Sequence, residues 1–382
     1  MVTMTHPMKK TSKLSALLVG MVAVMMAVFS CNSSVDRVSF ESQWEEMNNR
    51  IWAGSAWWAN RLQDWRIQEG KLECMHQGKD RNVHLLTHQL QPESTLQMEV
   101  TVSRPVNHFN GWVGFRFASH GHIDEYRHNS VNSTSGLNAR LKTDGTLLLG
   151  KDSVMIDWPE QVRMSLELSP KEASHTALFE VQNPAGEVLG RVEATYDTSR
   201  IHGNLALVCH SHTNRKESHG EPVAAFSDFK LTGSGLRGGK DQRWGPILWS
   251  QYTVDDGILK LTAQFPPLGP EDNRRVILEM DRGSGWEKAG QARIDDMARL
   301  ALFRIEDWND EKPAPYRLVY ELDGKKHFYK GEIRKNPRDK EEISVAAFTG
   351  NKDYGFQNKP ILKKLNKRDA DLLFFSGDQR YE

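Results

Sequence analysis

Net charge is missing from this chain: 50 lysines and arginines balance 50 aspartates and glutamates over 382 residues. The basic residues are scattered and no recognition motif gathers them, so neither nucleic acid nor an acidic polymer is an expected partner. Cysteine is scarce, with 3 in the whole chain. There is no Gly-rich phosphate loop, no paired-carboxylate glycosidase signature and no nucleophile elbow. Those absences remove the usual sequence marks of nucleotide binding, glycoside hydrolysis and serine hydrolysis. "DRGSGW" has the look of a serine motif, but it falls in an expected hairpin turn. What the chain does have is tryptophan, 11 residues, which points to aromatic-rich cores or a ligand-facing surface.

The N-terminus carries an address. Lys9, Lys10 and Lys13 precede an uncharged apolar run from Leu14 to Cys31. A basic region followed by an apolar one is the pattern of a secretory signal. The run is a little short of the roughly 20 residues that span a bilayer. Its ending, "AVFSC", resembles a bacterial lipobox, with Val28 and Ser30 ahead of the cysteine. The resemblance implies lipidation at Cys31, and residues 1–31 are read as a lipoprotein signal peptide. A plain cleaved signal and an uncleaved anchor remain the alternatives. "MKKTSK" makes Met8 the better start. The expected partner is a membrane reached through the lipid, since two or more acyl chains hold a protein stably. The expected location is the cell envelope, periplasmic or at the surface. For Cys74 and Cys209 two readings stand, one disulfide or two separate buried thiols.

Residues 40–236 read as short strands between turns. Leu96, Met98, Val100 and Val102 are apolar at every second position, the period of a half-buried strand. "TDGT" at Thr143–Thr146 and "NPAGE" at Asn183–Glu187 carry hairpin chemistry. Many short strands at this spacing specify a sandwich or barrel. "WRIQEGKLEC", "GWVGFRF", "DEYRHNSV" and "GLNARLKTDGTLLLG" resemble the concanavalin-like (laminin-G-like) sandwiches attached to bacterial secreted hydrolases. The resemblance implies a jelly roll, often associated with glycans, and a glycan is the partner it implies for this part.

"GSGLRGGKDQ", Gly233–Gln242, reads as a Gly-rich polar linker. Beyond it, residues 244–336 offer seven short strands in about ninety residues, which suits an immunoglobulin- or fibronectin-type sandwich acting as a spacer.

The pattern then changes across 341–382. "ISVAAFTGN" and "DLLFFSGD" are continuous apolar runs, and "NKPILKKLNKRDA" lies between them. Pro360 suits a first helical turn, with Ile361, Leu362 and Leu365 on one face. Unbroken apolar runs indicate strands buried on both faces of a parallel sheet, so the segment is read as a βαβ unit. Ligands gather outside the carboxyl ends of such strands, where Asn351 and Asp378 fall. An Asp in a tight turn can bridge two ions roughly 3.5–4 Å apart. Tyr381 would ligate only a strong Lewis acid such as ferric iron.

"AAFTGNKDYGFQN" followed by "DADLLFFSGDQRYE" resembles the opening of the alkaline phosphatase D-like (PhoD-like) metallophosphoesterases. The resemblance implies a bimetallic phosphoesterase, commonly with iron and calcium, acting on phosphate mono- or diesters. Asp378 matches the bridging metal ligand and Tyr381 the tyrosinate. Gly350 stands where the first strand usually offers a ligand, and Asn351 is the substitute. The family's later acidic, Asn and His ligands have no counterpart in this chain. The expected fold is therefore mainly β: a concanavalin-like jelly roll, an Ig/fibronectin-like sandwich, and the first βαβ unit of a truncated α/β metallophosphoesterase domain. No catalytic residue is assigned, and the two metal ions are not expected to bind stably.

Two other groups compete. His120, His122 and His128, near Asp124 and Glu125, and His210, His212 and His219 have the residue types of metal ligands, but polar sandwich loops are the simpler reading. Trp57, Trp58, Trp65 and Trp112 could form a platform for sugar rings, or simply pack a core. Two functional expectations follow: an envelope-anchored PhoD-like phosphoesterase, inactive as this chain, or a non-enzymatic surface lipoprotein with a glycan-binding sandwich.

Overall fold

The computed structural model describes residues 37–106, 109–213, 221–281, 283–350 and 358–377. The expected signal peptide lies outside them. Among the described residues no helix is long and apolar enough to cross a membrane.

The first part is a β-sandwich. One sheet runs, in spatial order, Val188–Asp197, Ser174–Gln182, Gln161–Pro170, Thr95–Ser103, Ala224–Ser234, Lys71–Cys74 and Trp65–Gln68, with Arg37–Glu41 also against Ala224–Ser234. The other has seven strands: Asp152–Met155, Thr146–Leu149, Leu137–Lys142, Gly111–Ser119, Gly203–Ser211, Arg81–Leu90 and Trp57–Asn60. Along both paths neighbours run antiparallel. The alternation seen in the sequence explains the packing. Leu96, Met98, Val100 and Val102 are buried and lie opposite Leu168, Leu166, Met164 and Val162, so one face of the strand pair is continuous hydrocarbon. Both expected hairpins form. Asp144 Oδ1 accepts from Thr146 N at 2.8 Å, and Asn183 N donates to Glu187 O at 2.9 Å.

Like Gly111–Ser119 in the same sheet, the strands Arg81–Leu90 and Gly203–Ser211 are buried on both faces. Their second face is covered by a segment that the sequence reading took for polar loop, and which contains the helix Tyr126–Val131. Glu125 caps it by accepting from Arg127 N and His128 N, satisfying donors a helix start leaves free. Asn204 Nδ2 donates to Tyr126 O at 2.7 Å, and Asn60 Nδ2 to Ser130 O, tying the cover to the sheet.

Residues 249–333 form two further antiparallel sheets. Three strands run Trp249–Asp255, Ile258–Gln264, Leu300–Ile305, and four run Trp286–Arg293, Arg275–Asp281, Ala314–Leu322, Lys325–Ile333. Leu259, Leu261, Val276, Leu278, Phe303 and Leu318 fill the space between them.

The Gly-rich stretch before this part is not a free tether. Arg237 exchanges backbone hydrogen bonds with Gln89, and its guanidinium reaches Asp124 at 2.9 Å. A Cβ at Gly238 would lie 2.1 Å from Thr87 O; the glycine is there for close approach as much as for flexibility. The two hydrophobic clusters also meet through residues 48–57. Trp52 belongs to the second cluster, and Trp244 Nε1 donates to Trp57 O.

At the far end, Val345–Phe348 pairs in parallel with Leu372–Phe375, and the helix Lys359–Arg368 lies between them in sequence. The elements are as expected, but the burial is not. Phe374 and Phe375 are 53% and 50% exposed, and Ile361 and Leu362 are exposed too. Two strands and one helix supply no second layer to cover either sheet face.

Candidate functional site

Strand alternation decides which side chains the seven-stranded sheet turns outward. In Leu137–Lys142, Leu137, Ala139 and Leu141 enter the core and leave Asn138, Arg140 and Lys142 on the other face. In Gly203–Ser211, Leu205, Leu207 and Cys209 point inward, leaving Ala206, Val208 and His210 outward. The register then builds rows across the strands. Trp112 lies between His210 and Lys142, and Arg116 between Ala206 and Asn138. Gly114 separates these rows because a Cβ there would sit 2.0 Å from Ala139 O.

The rows are pre-paired. Arg116 Nε donates to Asn138 Oδ1 at 2.8 Å, and Arg116 Nη2 to Asp80 Oδ1 at 2.7 Å. Asp80 N and Oδ1 lie 3.2 and 3.3 Å from His210 Nδ1, which donates to the carboxylate oxygen when it carries the proton. The hydrogen bond with His210, and then Arg116, hold the Asp80 carboxyl well below the usual carboxylate range, against partial burial. The His210 ring stacks on Trp112 at 5.3 Å, while the Arg140 guanidinium lies 5.3 Å from the Trp112 ring centroid. Charged and amide groups are thus held by planar neighbours, which lowers the ordering cost of a hydrogen-bonded ligand.

Arg140 also lines a cleft of about 710 Å³ at the margin of this sheet, with Asn138, Lys151, Tyr196 and Arg200. Its size is within the range of small-ligand sites. Tyr196 is buried against Phe117. Burial pushes its phenol up, against Arg200 and Arg140 beside it.

Residues singled out in the sequence fare differently. Cys31, Asn351, Asp378, Tyr381 and His219 lie outside the described residues. Phe348 stands opposite Phe375 in the parallel register, so the chain leaves both strands at the same edge, the one where Asn351 and Asp378 follow in sequence. Cys74 and Cys209 are buried free thiols, one on each sheet of the first sandwich. Burial, then a hydrogen bond with Cys74, push the Cys209 thiol well up. The four tryptophans do not share a platform. Trp57 and Trp65 are core residues, Trp58 packs on Trp244, and Trp112 is enclosed between His210 and Arg140. The histidines do not converge either. His120 stacks on His202, His128 is buried on the inner face of the helix Tyr126–Val131, and His212 meets His210 edge-on. Among the described residues no three His, Cys, Asp or Glu side chains gather as a metal site.

The sequence reading did not single out Asp80, Arg116, Asn138, Arg140, Tyr196 or Arg200. One signal was available: Arg116 is the single charge inside the apolar run "GWVGFRFAS".

No family model matches the chain, and no curated protein does either. Several solved structures are similar to about half of this chain. Lectin II from Ulex europaeus has 8% identity and a TM-score of 0.37, over 52% of this chain and 98% of its own. The lumenal domain of VIP36, in a Ca2+/Man3GlcNAc-bound form, has 6% and 0.31, over 53% and 91%. The metal-free Emp46p carbohydrate recognition domain has 12% and 0.30, over 47% and 88%. Scores this low carry no functional argument; the mainly β sandwich stands on the strands themselves.

Proposed function

We propose that the first sandwich is a saccharide-binding module and that the part of its seven-stranded sheet's outer face around Arg116, Asn138 and Arg140, outside the helix-covered strands, is the contact surface. One observation carries this reading. The sheet turns Arg116, Asn138 and His210 outward, Asp80 of the adjoining turn pairs with Arg116 and His210, and the row runs beside a cleft. Planar carboxylate, amide and guanidinium groups can each make paired hydrogen bonds to neighbouring hydroxyls. On this reading the second sandwich is an Ig- or fibronectin-type spacer, and lipidated Cys31 holds the chain to an envelope membrane. The test is a titration of the full chain with neutral and acidic oligosaccharides, repeated with Arg116→Ala and His210→Ala. Binding that is lost in both variants, with unchanged melting, supports the surface. No binding by the parent chain, or full binding by both variants, overturns it.

A second reading is favoured by the uncovered βαβ segment. Apolar side chains on both its strands and on its helix are exposed, as in the opening unit of a larger α/β layer. The PhoD-like resemblance names that layer a metallophosphoesterase acting on phosphate esters, with Asn351, Asp378 and Tyr381 toward iron and calcium. The fit to two ions is poor. Three positions are too few to enclose a bimetallic centre, and the described residues add none.

A further inference from the structure

The cleft beside the polar row contains an arrangement that saccharide binding alone does not explain. Arg140 and Arg200 both flank Tyr196. Arg140 is stacked over Trp112, and the Arg200 guanidinium lies 5.6 Å from the Tyr196 ring centroid. Among the described residues neither arginine, nor Lys151 on the rim, has a carboxylate within ion-pair distance, whereas Arg50, Arg66, Arg81, Arg116 and Arg191 all do. Arg140 Nε is buried with no hydrogen-bond partner. A buried guanidinium nitrogen without an acceptor is costly and calls for one. Asp152 and Glu193 also line the cleft, but Asp152 Oδ2 is taken up by the N–H of Glu193 at 2.9 Å.

Arg140 and Arg200 each lie over an aromatic ring, Trp112 and Tyr196, a contact that uses no guanidinium N–H as a hydrogen-bond donor. A fork of this kind matches a carboxylate, while Asn138 can serve a sugar hydroxyl next to it. We infer that the cleft between Arg140 and Arg200 is a subsite for the carboxylate of an acidic saccharide, a uronate-type sugar. This rests on the saccharide-binding reading and deepens it. The carboxylate would neutralise the uncompensated pair, and Lys151 would draw the acidic chain toward the rim.

The experiment uses the full chain and three probes: a glucuronate-terminated oligosaccharide, its methyl ester, and inorganic phosphate. The acid is expected to bind about tenfold or more tightly than the ester, with affinity falling as salt rises. Arg200→Ala, an exposed position outside the core, is expected to remove the preference for the acid, whose affinity falls to that of the ester. Arg140→Lys keeps the charge but loses the planar fork, and is expected to reduce the preference as well. Equal binding of acid and ester overturns the subsite and leaves the saccharide-binding reading intact. Binding of neither overturns both. Phosphate binding as tight as the acid would make this a plain anion site and overturn the assignment to sugars.

Discussion

Arg50 and Asp272 stand 3.1 Å apart with both side chains fully excluded from solvent. They belong to different sandwiches, so this ion pair is the polar centre of the joint between them. Asn48 Nδ2 and Gly269 N donate to the same carboxylate at 3.1 and 2.7 Å, and Asp323 is a second partner of the guanidinium. A buried carboxylate repays its desolvation only when its oxygens are satisfied as those of Asp272 are here.

Replacing Arg50 by alanine is therefore expected to destabilise the joint by about 3–5 kcal/mol, because Asp272 is left charged and buried. Denaturant unfolding of the variant should separate into two transitions, the second sandwich melting apart from the first. Arg50→Met combined with Asp272→Leu should recover much of the loss, since the uncompensated charge is gone. A single unshifted transition in Arg50→Ala would show that the pair does not couple the two parts.

Acid should act through His84. The ring is completely buried, neither nitrogen has a hydrogen-bond partner among the described residues, and burial, then the charge of Arg116, lower its pKa to about 3. Above the ordinary histidine value near 6.5 the ring is neutral in both folded and unfolded chains, and its contribution is constant. As pH falls toward 3 only the unfolded chain takes up the proton, so stability drops by about 1.4 kcal/mol per pH unit across that window. His84→Leu should flatten the pH–stability curve between those limits. An identical slope in the variant would assign the acid sensitivity elsewhere.

The thiols of Cys74 and Cys209 face each other across the first sandwich, and a bond between them would staple its two sheets. Refolding in glutathione disulfide is expected to close it. Each protein thiol loses one proton and one electron, and two glutathione thiols are released. Closing a loop of roughly a hundred residues or more is worth about 4–5 kcal/mol at most. The oxidised chain should therefore melt higher and lose both alkylation sites by mass spectrometry. Mixed disulfides only, with no intramolecular bond, would show that the core holds the sulfurs in an unsuitable geometry.

The βαβ segment carries too few ligands to enclose two ions. Iron or calcium should accordingly produce no hydrolysis of an aryl phosphate by this chain. Its two strands should also exchange backbone hydrogens far faster than those of the sandwiches, since their faces are open to water. Metal-dependent turnover would show that Asn351, Asp378 and Tyr381 assemble a working centre after all.

Much of the architecture was legible without coordinates. The alternation from Leu96 to Val102, the turn residues at Asp144–Gly145 and Asn183–Gly186, the seven short strands of the second sandwich, and the strand–helix–strand of the last segment are local patterns. Local patterns follow from the side-chain period and turn chemistry. The candidate site was not legible in this way. Asp80, Arg116, His210 and Arg140 come from four separate stretches and become neighbours only through strand register, which no local pattern encodes.

By itself, then, the sequence determined which residues are strands, which faces are apolar and where the chain turns, because those depend on neighbours a few residues away. The tertiary structure alone decided that Arg50 would be buried against Asp272, that Trp112 would back His210 and Arg140 instead of meeting solvent, and that the glycine-rich stretch would be pinned. Each of those depends on which distant strands lie side by side, and that is set by how the whole core closes.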